Sequence, residues 1–280
     1  MKILPLYNND ISKNPNFLSC YRAYNPSLIS DYGACCNFFV KTSTNMFRED
    51  LDWNSFVKHM LFNFEKKDKV NLYSMACSDG SEAYSLAIAL MEKLHKPFYK
   101  KFFPIMANDV DNVIINNAKT GRINIEDCEI YYLNKVGINL NNYFVNRKQP
   151  LKIKGDMRST NTLGIFSYEP IQELKKAVDF KQSDILTELK NIKDDGNSVV
   201  MCRNVMPYLK SDYIDEIVST ASDVLKDGSL FVTGDYDSGV NIDERLIKHG
   251  FYRPLLENRN LFKKGNIKEF TDKLLSGYLI

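Results

Sequence analysis

Residues Val70 to Leu94 read VNLYSMACSDGSEAYSLAIALMEKL. The stretch opens with a short apolar run, Val70 to Ala76, turns through Cys77-Ser78-Asp79-Gly80, and continues with apolar residues at Leu86, Ile88, Ala89, Leu90 and Leu94. That pattern is strand, tight turn, helix, the first unit of a doubly wound α/β domain. Ser81 or Asp79 is placed to cap the helix, and Glu82 puts an acid in its first turn. The turn after a first strand is where such folds seat nucleotide-like ligands. Only Gly80 is present and the G-x-G-x-x-G fingerprint is missing. A ligand without phosphate therefore fits better than a dinucleotide, and a nicotinamide dehydrogenase is disfavoured.

Upstream, a helical pattern runs from Trp53 to about Phe64, with Phe56, Val57, Met60, Leu61 and Phe64 on one side. Residues 1 to 44 have weak periodicity and are expected to form short helices and loops against the main domain. Downstream, a second strand is expected from Phe102 to Asn108, ending at Asp109-Val110-Asp111. A helix follows from Asn112 to about Lys119, with Gly121 as its C-cap. Residues 122 to 176 break the alternation and read as an inserted subdomain. Phe180 to Leu186 reads as a strand end and its turn. Ser198 to Cys202 is a buried-strand run ending at Arg203-Asn204. Tyr213 to Leu225 is helical, Leu230 to Val232 is a strand, Ile242 to Lys248 is a helix, and Phe251 to Leu256 with Asn260 to Lys263 suggests a closing hairpin.

The chain has 280 residues, 44% of them hydrophobic, enough for one substantial core with a small appendage. Its 37 basic and 35 acidic side chains nearly balance, which gives no electrostatic case for nucleic acid or for a membrane surface. Six cysteines lie at 20, 35, 36, 77, 128 and 202 without metal spacing, and read as reduced thiols of a cytoplasmic protein. No signal-peptide core or membrane-spanning run is visible, so no membrane insertion is expected. Nothing in the pattern specifies an oligomeric state.

Four stretches then resemble one family in the right order. Thr44 to Glu49 is similar to T-x-F-F-R-E. ACSDGSEAYSLA is similar to A-x-S-T-G-E-E-P-Y-S-x-A, NDVDNVIINNAKTG to S-D-I-D-x-x-x-L-x-x-A-x-x-G, and MCRNVMPYLK to F-C-R-N-V-x-I-Y-F. Together they resemble the CheR family, the chemotaxis receptor glutamate methyltransferases that use S-adenosylmethionine. The resemblance implies an α/β class I methyltransferase fold: a Rossmann-like, seven-stranded, mainly parallel sheet with a short N-terminal helical segment. On that reading residues 1–64 are the N-terminal segment and cofactor cover. Residues 65–280 form the methyltransferase domain, with an insertion at about 122–176. The implied partner is a protein substrate, a receptor or signalling protein.

The family's residues carry over individually. Glu82 matches the acid that helps hold the methionine end, with Ala76 in the same turn. Asp109 matches the acid that takes the ribose hydroxyls. Asp184, followed by Ile185, falls where the family often has Asn near the adenine. Arg203 and Asn204 end the fourth strand beside the methionine moiety. Thr44 and Arg48 cover the cofactor from the N-terminal side. Arg48 and Tyr208 match the pair placed around the acceptor carboxylate and are the candidate catalytic residues; no metal is implied.

The chain departs from the pattern at Ser81, Ala83 and Pro207, which stand for acid, Pro and Ile. Few basic residues precede Arg48, where the family has a larger helical domain with a basic receptor-binding helix. Leu151 to Lys176 reads as longer than the family's equivalent, where receptor-docking elements sit. Methylation of another protein side chain or of a small molecule, and a non-catalytic S-adenosylmethionine-binding module, stay open as alternatives. Structural roles compete too: Asp109 as a helix N-cap, Glu82 as a first-turn acid, and Arg48 in a surface pair with Glu49 or Asp50.

Overall fold

The computed structural model describes residues 45–266, apart from 122, 127–129, 131–132, 135–136, 151–164 and 256–257. Its elements follow the alternation of the sequence. Helix α1 spans Trp53–Asn63, strand β1 Asn71–Met75 and helix α2 Ser81–Lys93. A short helix α3, Lys96–Tyr99, and a 3-10 turn, Lys100–Phe102, lead to β2, Ile105–Asp109, and α4, Asn112–Thr120. Next come β3, Ile123–Glu126, β4, Phe144–Pro150, and β5, Ile165–Pro170. They are followed by α5, Gln172–Lys176, β6, Val178–Gln182, and α6, Ile185–Asn191. The chain continues through β7, Ser198–Met201, α7, Ser211–Val224, and β8, Leu230–Val232. The described residues end with α8, Ile242–Lys248, β9, Phe251–Tyr252, and β10, Leu261–Lys264.

Seven strands form one sheet in the order β6-β2-β1-β7-β8-β10-β9. The pairs β1/β2, β2/β6, β1/β7 and β7/β8 are parallel. β10 pairs antiparallel with both β8 and β9, which closes the sheet as the expected hairpin. The order reverses direction between β1 and β7, the switch point where open α/β sheets leave a crevice at their carboxyl ends. This is the mainly parallel, seven-stranded α/β sheet expected from the sequence.

Both faces are buried at the central strands β7 and β8, which is why these read as continuous apolar runs. Side chains alternate between the faces. Leu72, Val199, Met201, Leu230 and Val232 pack with α1, α2 and α4 on one side. Met75, Val200, Phe231 and Phe262 pack with α6, α7 and α8 on the other. Helix α2 is buried along almost its whole length, from Ser81 to Leu90, because α1, α5, β2 and β6 pack on it and Tyr84 meets a second sheet.

That second sheet is antiparallel, in the order β3-β5-β4, and comes from the 122–176 segment. An aromatic edge joins it to the main body, Tyr84 lying 6.4 Å from Phe144, and Phe144 packs on Tyr168 within the sheet at 6.1 Å, centroid to centroid. The Tyr143 hydroxyl also donates to Glu92 Oε1 at 2.7 Å. The expected helix near Tyr131 and extended piece near Leu151 fall outside the described residues.

The sequence reading needs correction at the start of β2 and at the cap of α2. The second strand starts at Ile105, not Phe102; Phe102 is a fully buried residue of the preceding 3-10 turn, and apolarity alone cannot tell these states apart. The N-cap of α2 is Gly80 at φ 88°, while Asp79 Oδ1 accepts the Ser81 N–H at 2.9 Å. A Cβ at Gly80 would also stand 2.6 Å from Phe180 Cζ, so glycine is needed there on both counts. Helix α1 has the expected span, with Phe64 as its C-cap and Asp52 as its N-cap, whose side chain accepts the Ser55 N–H at 3.0 Å.

Candidate active site at the carboxyl edge

The parallel register sets the ends of four strands side by side. Met75 pairs with Asn108, Ser74 with Met201, and Asp109 with Gln182. The loops that follow, beginning at Ala76, Val110, Ser183 and Cys202, therefore line one rim. Ala76 and Ser78 both have left-handed backbone, φ 51° and 53°. This curls the first loop back, so that Cys77 N–H donates to Asn108 O at 2.8 Å and Ser78 N–H to Asp109 Oδ2 at 3.0 Å.

Asp109 is buried at the end of β2 and also accepts the Asp111 N–H through Oδ1 at 3.0 Å. Burial pushes its carboxyl above the usual carboxylate range, and the two amides pull it partly back. The N-cap of α4 is Asp111, which accepts the Val113 and Ile114 amides. The cap role weighed for Asp109 thus belongs to its neighbour.

Across the switch point stands an ion cluster. Arg203, directly after β7, donates through Nη1 to Glu82 Oε2 at 3.1 Å and through Nη2 to Asp50 Oδ1. Its side chain is 2% exposed and lies over the Trp53 ring, Cζ 5.4 Å from the centroid. Glu82 Oε1 takes the Ser74 hydroxyl at 2.7 Å. Arg203 Nε is buried and has no hydrogen-bond partner. A buried, unpaired guanidinium N–H is costly, so a polar group of a ligand is the natural complement.

Asn204 adopts φ 58°. Its N–H donates to Asp237 Oδ2 at 2.8 Å, its Nδ2 to Asp50 Oδ2 at 2.8 Å, and its Oδ1 accepts the Tyr236 N–H at 3.1 Å. Gly234 is required beside it, since a Cβ there would meet Asn204 Cγ at 2.3 Å. Asp237 is fully buried and also accepts the Gly234 and Met206 amides, at 2.7 and 3.0 Å. Burial outweighs those bonds and pushes its carboxyl up to about 6.

The N-terminal motif reaches this rim. Phe47 N–H donates to Ser85 Oγ at 2.8 Å, and the Arg48 carbonyl accepts Trp53 Nε1–H at 3.1 Å. The Arg48 guanidinium lies over the Tyr236 ring, 5.8 Å from its centroid. The surface pair weighed for Arg48 with Asp50 is not what forms, because Asp50 turns to Arg203. Tyr208 is half-buried and ends a 3-10 turn, Met206–Tyr208, just beyond Asn204.

Asp184 is the N-cap of α6: it accepts the Thr187 N–H at 2.9 Å and the Thr187 hydroxyl at 2.5 Å. Burial would raise its carboxyl, but these bonds outweigh it and hold the group below its usual range. Ile185 is buried beside it in the first turn of α6. The rim thus gathers Arg48, Ala76, Glu82, Asp109, Arg203, Asn204 and Tyr208, while Asp184 is engaged in its helix. Thr44 lies outside the described residues. Asp50, Tyr236 and Asp237 were not singled out from sequence. An acid two residues after Arg48, and acids directly after the β8 run, were the available signals. Cys77 and Cys202 are buried, and burial pushes both thiols well up, as in core residues.

A family model for the CheR methyltransferase S-adenosylmethionine-binding domain matches residues 42–250. The chain belongs to the CheR methyltransferase family. Its cofactor is S-adenosylmethionine, and it is a methyltransferase of this class. Chemotaxis protein methyltransferase 2 of Vibrio cholerae is 25% identical over 231 residues, covering 79% of this chain and 73% of that protein. The chemotaxis protein methyltransferase of Listeria innocua is 25% identical over 197 residues, covering 70% and 64%. That of Escherichia coli K12 is 23% identical over 220 residues, covering 79% and 69%.

The CheR rim fits this cofactor. The unpartnered Arg203 Nε, with Glu82 beside it, offers one donor and one acid for an amino-acid moiety. Asp109 offers carboxylate lone pairs for hydroxyls. No phosphate cradle is needed. Among the described residues no helix is long and apolar enough to cross a membrane, and no His/Cys/Asp/Glu group is arranged to hold a metal.

Proposed function

We propose that the protein methylates glutamate side-chain carboxylates of a partner protein, giving methyl esters. In this reading Glu82, Asp109, Arg203 and Asn204 hold S-adenosylmethionine, with Ala76, Asp184 and Ile185 along its adenosine side and Thr44 covering it. Bound there, the cofactor supplies an electrophilic methyl group on a sulfonium. The observation that carries the reading is the linkage through Asp50. The residue that grips Arg203 lies two positions after Arg48, which brings a cationic acceptor-holding side chain to the cofactor rim.

A carboxylate acceptor is already ionised at neutral pH, so the site needs orientation rather than a base. Arg48 is suited to hold one acceptor oxygen by charge-assisted hydrogen bonds, leaving the other to react, and the Tyr208 hydroxyl to fix the acceptor's angle. The histidines support this choice. His59 is on α1 with its pKa lowered to about 4 by burial and by Lys263, His95 heads α3, and His249 contacts the Arg245 carbonyl. None lies among the rim residues above, so acceptors that need deprotonation are less well served.

The relatives' names point to chemotaxis, so the proposed partner is a receptor or signalling protein met in the cytoplasm. The proposed layout is a cofactor cover in residues 1–64 and a catalytic domain in 65–280, with an insertion at about 122–176 that faces the partner. The test is transfer of labelled methyl from S-adenosylmethionine to extract proteins of the strain that encodes the chain. Label released as methanol by mild base supports the ester. Base-stable label would replace it with another acceptor, and cofactor binding without any transfer would reduce the chain to a binding module.

A further inference from the structure

Tyr236 is 66% exposed, yet the fold fixes where it stands. Its N–H donates to Asn204 Oδ1 at 3.1 Å. On one side of it the Asp235 N–H donates to Asp50 Oδ2 at 3.2 Å, and Asp235 Oδ1 accepts Asn260 Nδ2 at 2.7 Å. On the other side Asp237 is fully buried and takes the Asn204, Met206 and Gly234 amides. An exposed ring on so closely held a backbone has no core to fill. What it meets is the Arg48 guanidinium, whose Cζ lies over the ring at 5.8 Å from the centroid. One acid ties the two partners together: Asp50 follows Arg48 by two residues and accepts from the residue before Tyr236.

We propose that Tyr236 is a positioning residue: its ring holds the Arg48 guanidinium at the rim, in place to receive the acceptor carboxylate. This rests on the acceptor role given to Arg48 above and adds a residue that acts through it. A long arginine side chain samples many rotamers, and fixing one only when the acceptor binds is costly. Cation–π attraction acts through the guanidinium charge and consumes no N–H, so the donors that grip a carboxylate are kept. Methyl transfer neutralises the acceptor's charge, so the pair between Arg48 and the carboxylate is strongest before the transition state. Loss of the ring should then appear in the acceptor's KM and not in kcat.

Two measurements on the full chain test this, with Tyr236→Leu removing the aromatic face and Tyr236→Phe keeping it. Only backbone groups of Tyr236 tie its loop to Asn204, so both variants should melt with wild type. In the first measurement phenylglyoxal labels Arg48 without acceptor, read by mass spectrometry on its peptide. Labelling should be about threefold faster in Tyr236→Leu, the size of an exposed cation–π contact, and unchanged in Tyr236→Phe. The second is the initial rate of base-labile methyl transfer from labelled S-adenosylmethionine to a dilution series of extract proteins from the strain that encodes the chain. The apparent acceptor KM should rise about threefold in Tyr236→Leu, with kcat and the calorimetric Kd for S-adenosylmethionine within about twofold, and Tyr236→Phe should restore the wild-type KM. Unchanged labelling of Arg48 in Tyr236→Leu, a fall in kcat in place of the rise in KM, or no rescue by Phe overturns the proposal. Absence of base-labile transfer by wild type would overturn the carboxylate-acceptor reading instead, and the labelling rates would still decide whether Tyr236 holds Arg48.

Discussion

Arg203 Nη1 lies 3.1 Å from Glu82 Oε2, so residues 121 positions apart meet across the switch point of the sheet. The pair joins the end of β7 to the first turn of α2. Its other end is closed by Asp50, whose carboxylate reaches over from the N-terminal motif. The two elements most expected to touch the methionine end are thus fixed to each other before any ligand arrives.

Replacing Arg203 by Met should therefore cost stability as well as binding. The change leaves Glu82 and Asp50 facing each other with no cation between them. Breaking a buried pair in this way typically costs about 3–5 kcal/mol. Urea unfolding of the variant should show a loss of that order; a midpoint equal to wild type would mean the cluster is not stabilising.

Asp237 makes a pH-dependent prediction. Its folded pKa is raised from 3.8 to about 6. A raised value means the folded state holds the proton more tightly than the unfolded state. The contribution is complete below the unfolded value and is lost as pH rises through the folded one. Relative to Asp237→Asn, which does not titrate, wild type should lose on the order of 3 kcal/mol between about pH 4 and pH 6, and no more above that. A stability difference that stays flat with pH would remove Asp237 as the titrating group.

Asp184 separates a cap from a ligand contact. As the N-cap of α6 it should cost about 1 kcal/mol when changed to Ala and a few tenths or less when changed to Asn, also a good cap. Its depressed pKa adds that its contribution is present above the usual carboxylate range and lost as pH falls through the folded value. Cofactor titration of Asp184→Asn completes the comparison: unchanged affinity keeps the residue structural, and weakened affinity restores its carboxylate to the adenine side.

Tyr208→Phe should leave S-adenosylmethionine affinity within about twofold and lower the rate of methyl transfer by about tenfold or more, a difference of ~1.4 kcal/mol in the transition state. Wild-type turnover in this variant would take Tyr208 out of the acceptor site.

Much of this was legible in the chain itself, because it is local. The strand, turn and helix at 70–94 follow from apolar period and from Gly80. Gly121 ends α4 with φ 72°, as its place in the pattern requires. Asp109 and Arg203 are found by rule, being polar residues at the carboxyl ends of buried strand runs. The Asp50–Arg203 contact spans 153 positions, and no local pattern encodes it; beside Arg48 in the sequence, Asp50 looked like a partner for that arginine instead. Asp184 resembled a ligand residue by position, yet the Thr187 hydroxyl three residues on was the sign of a cap. Phe102 extended an apolar run past the true start of β2, since a buried turn and a buried strand have the same composition.

The cofactor pocket is tested most directly by calorimetric titration of S-adenosylmethionine into wild type and Asp109→Ala. The account predicts saturable binding near micromolar Kd for wild type, weakened about tenfold or more when the buried Asp109 acceptor is removed. Equal affinity in a folded Asp109→Ala protein, or no binding by wild type, would contradict the placement of the cofactor at this edge of the sheet.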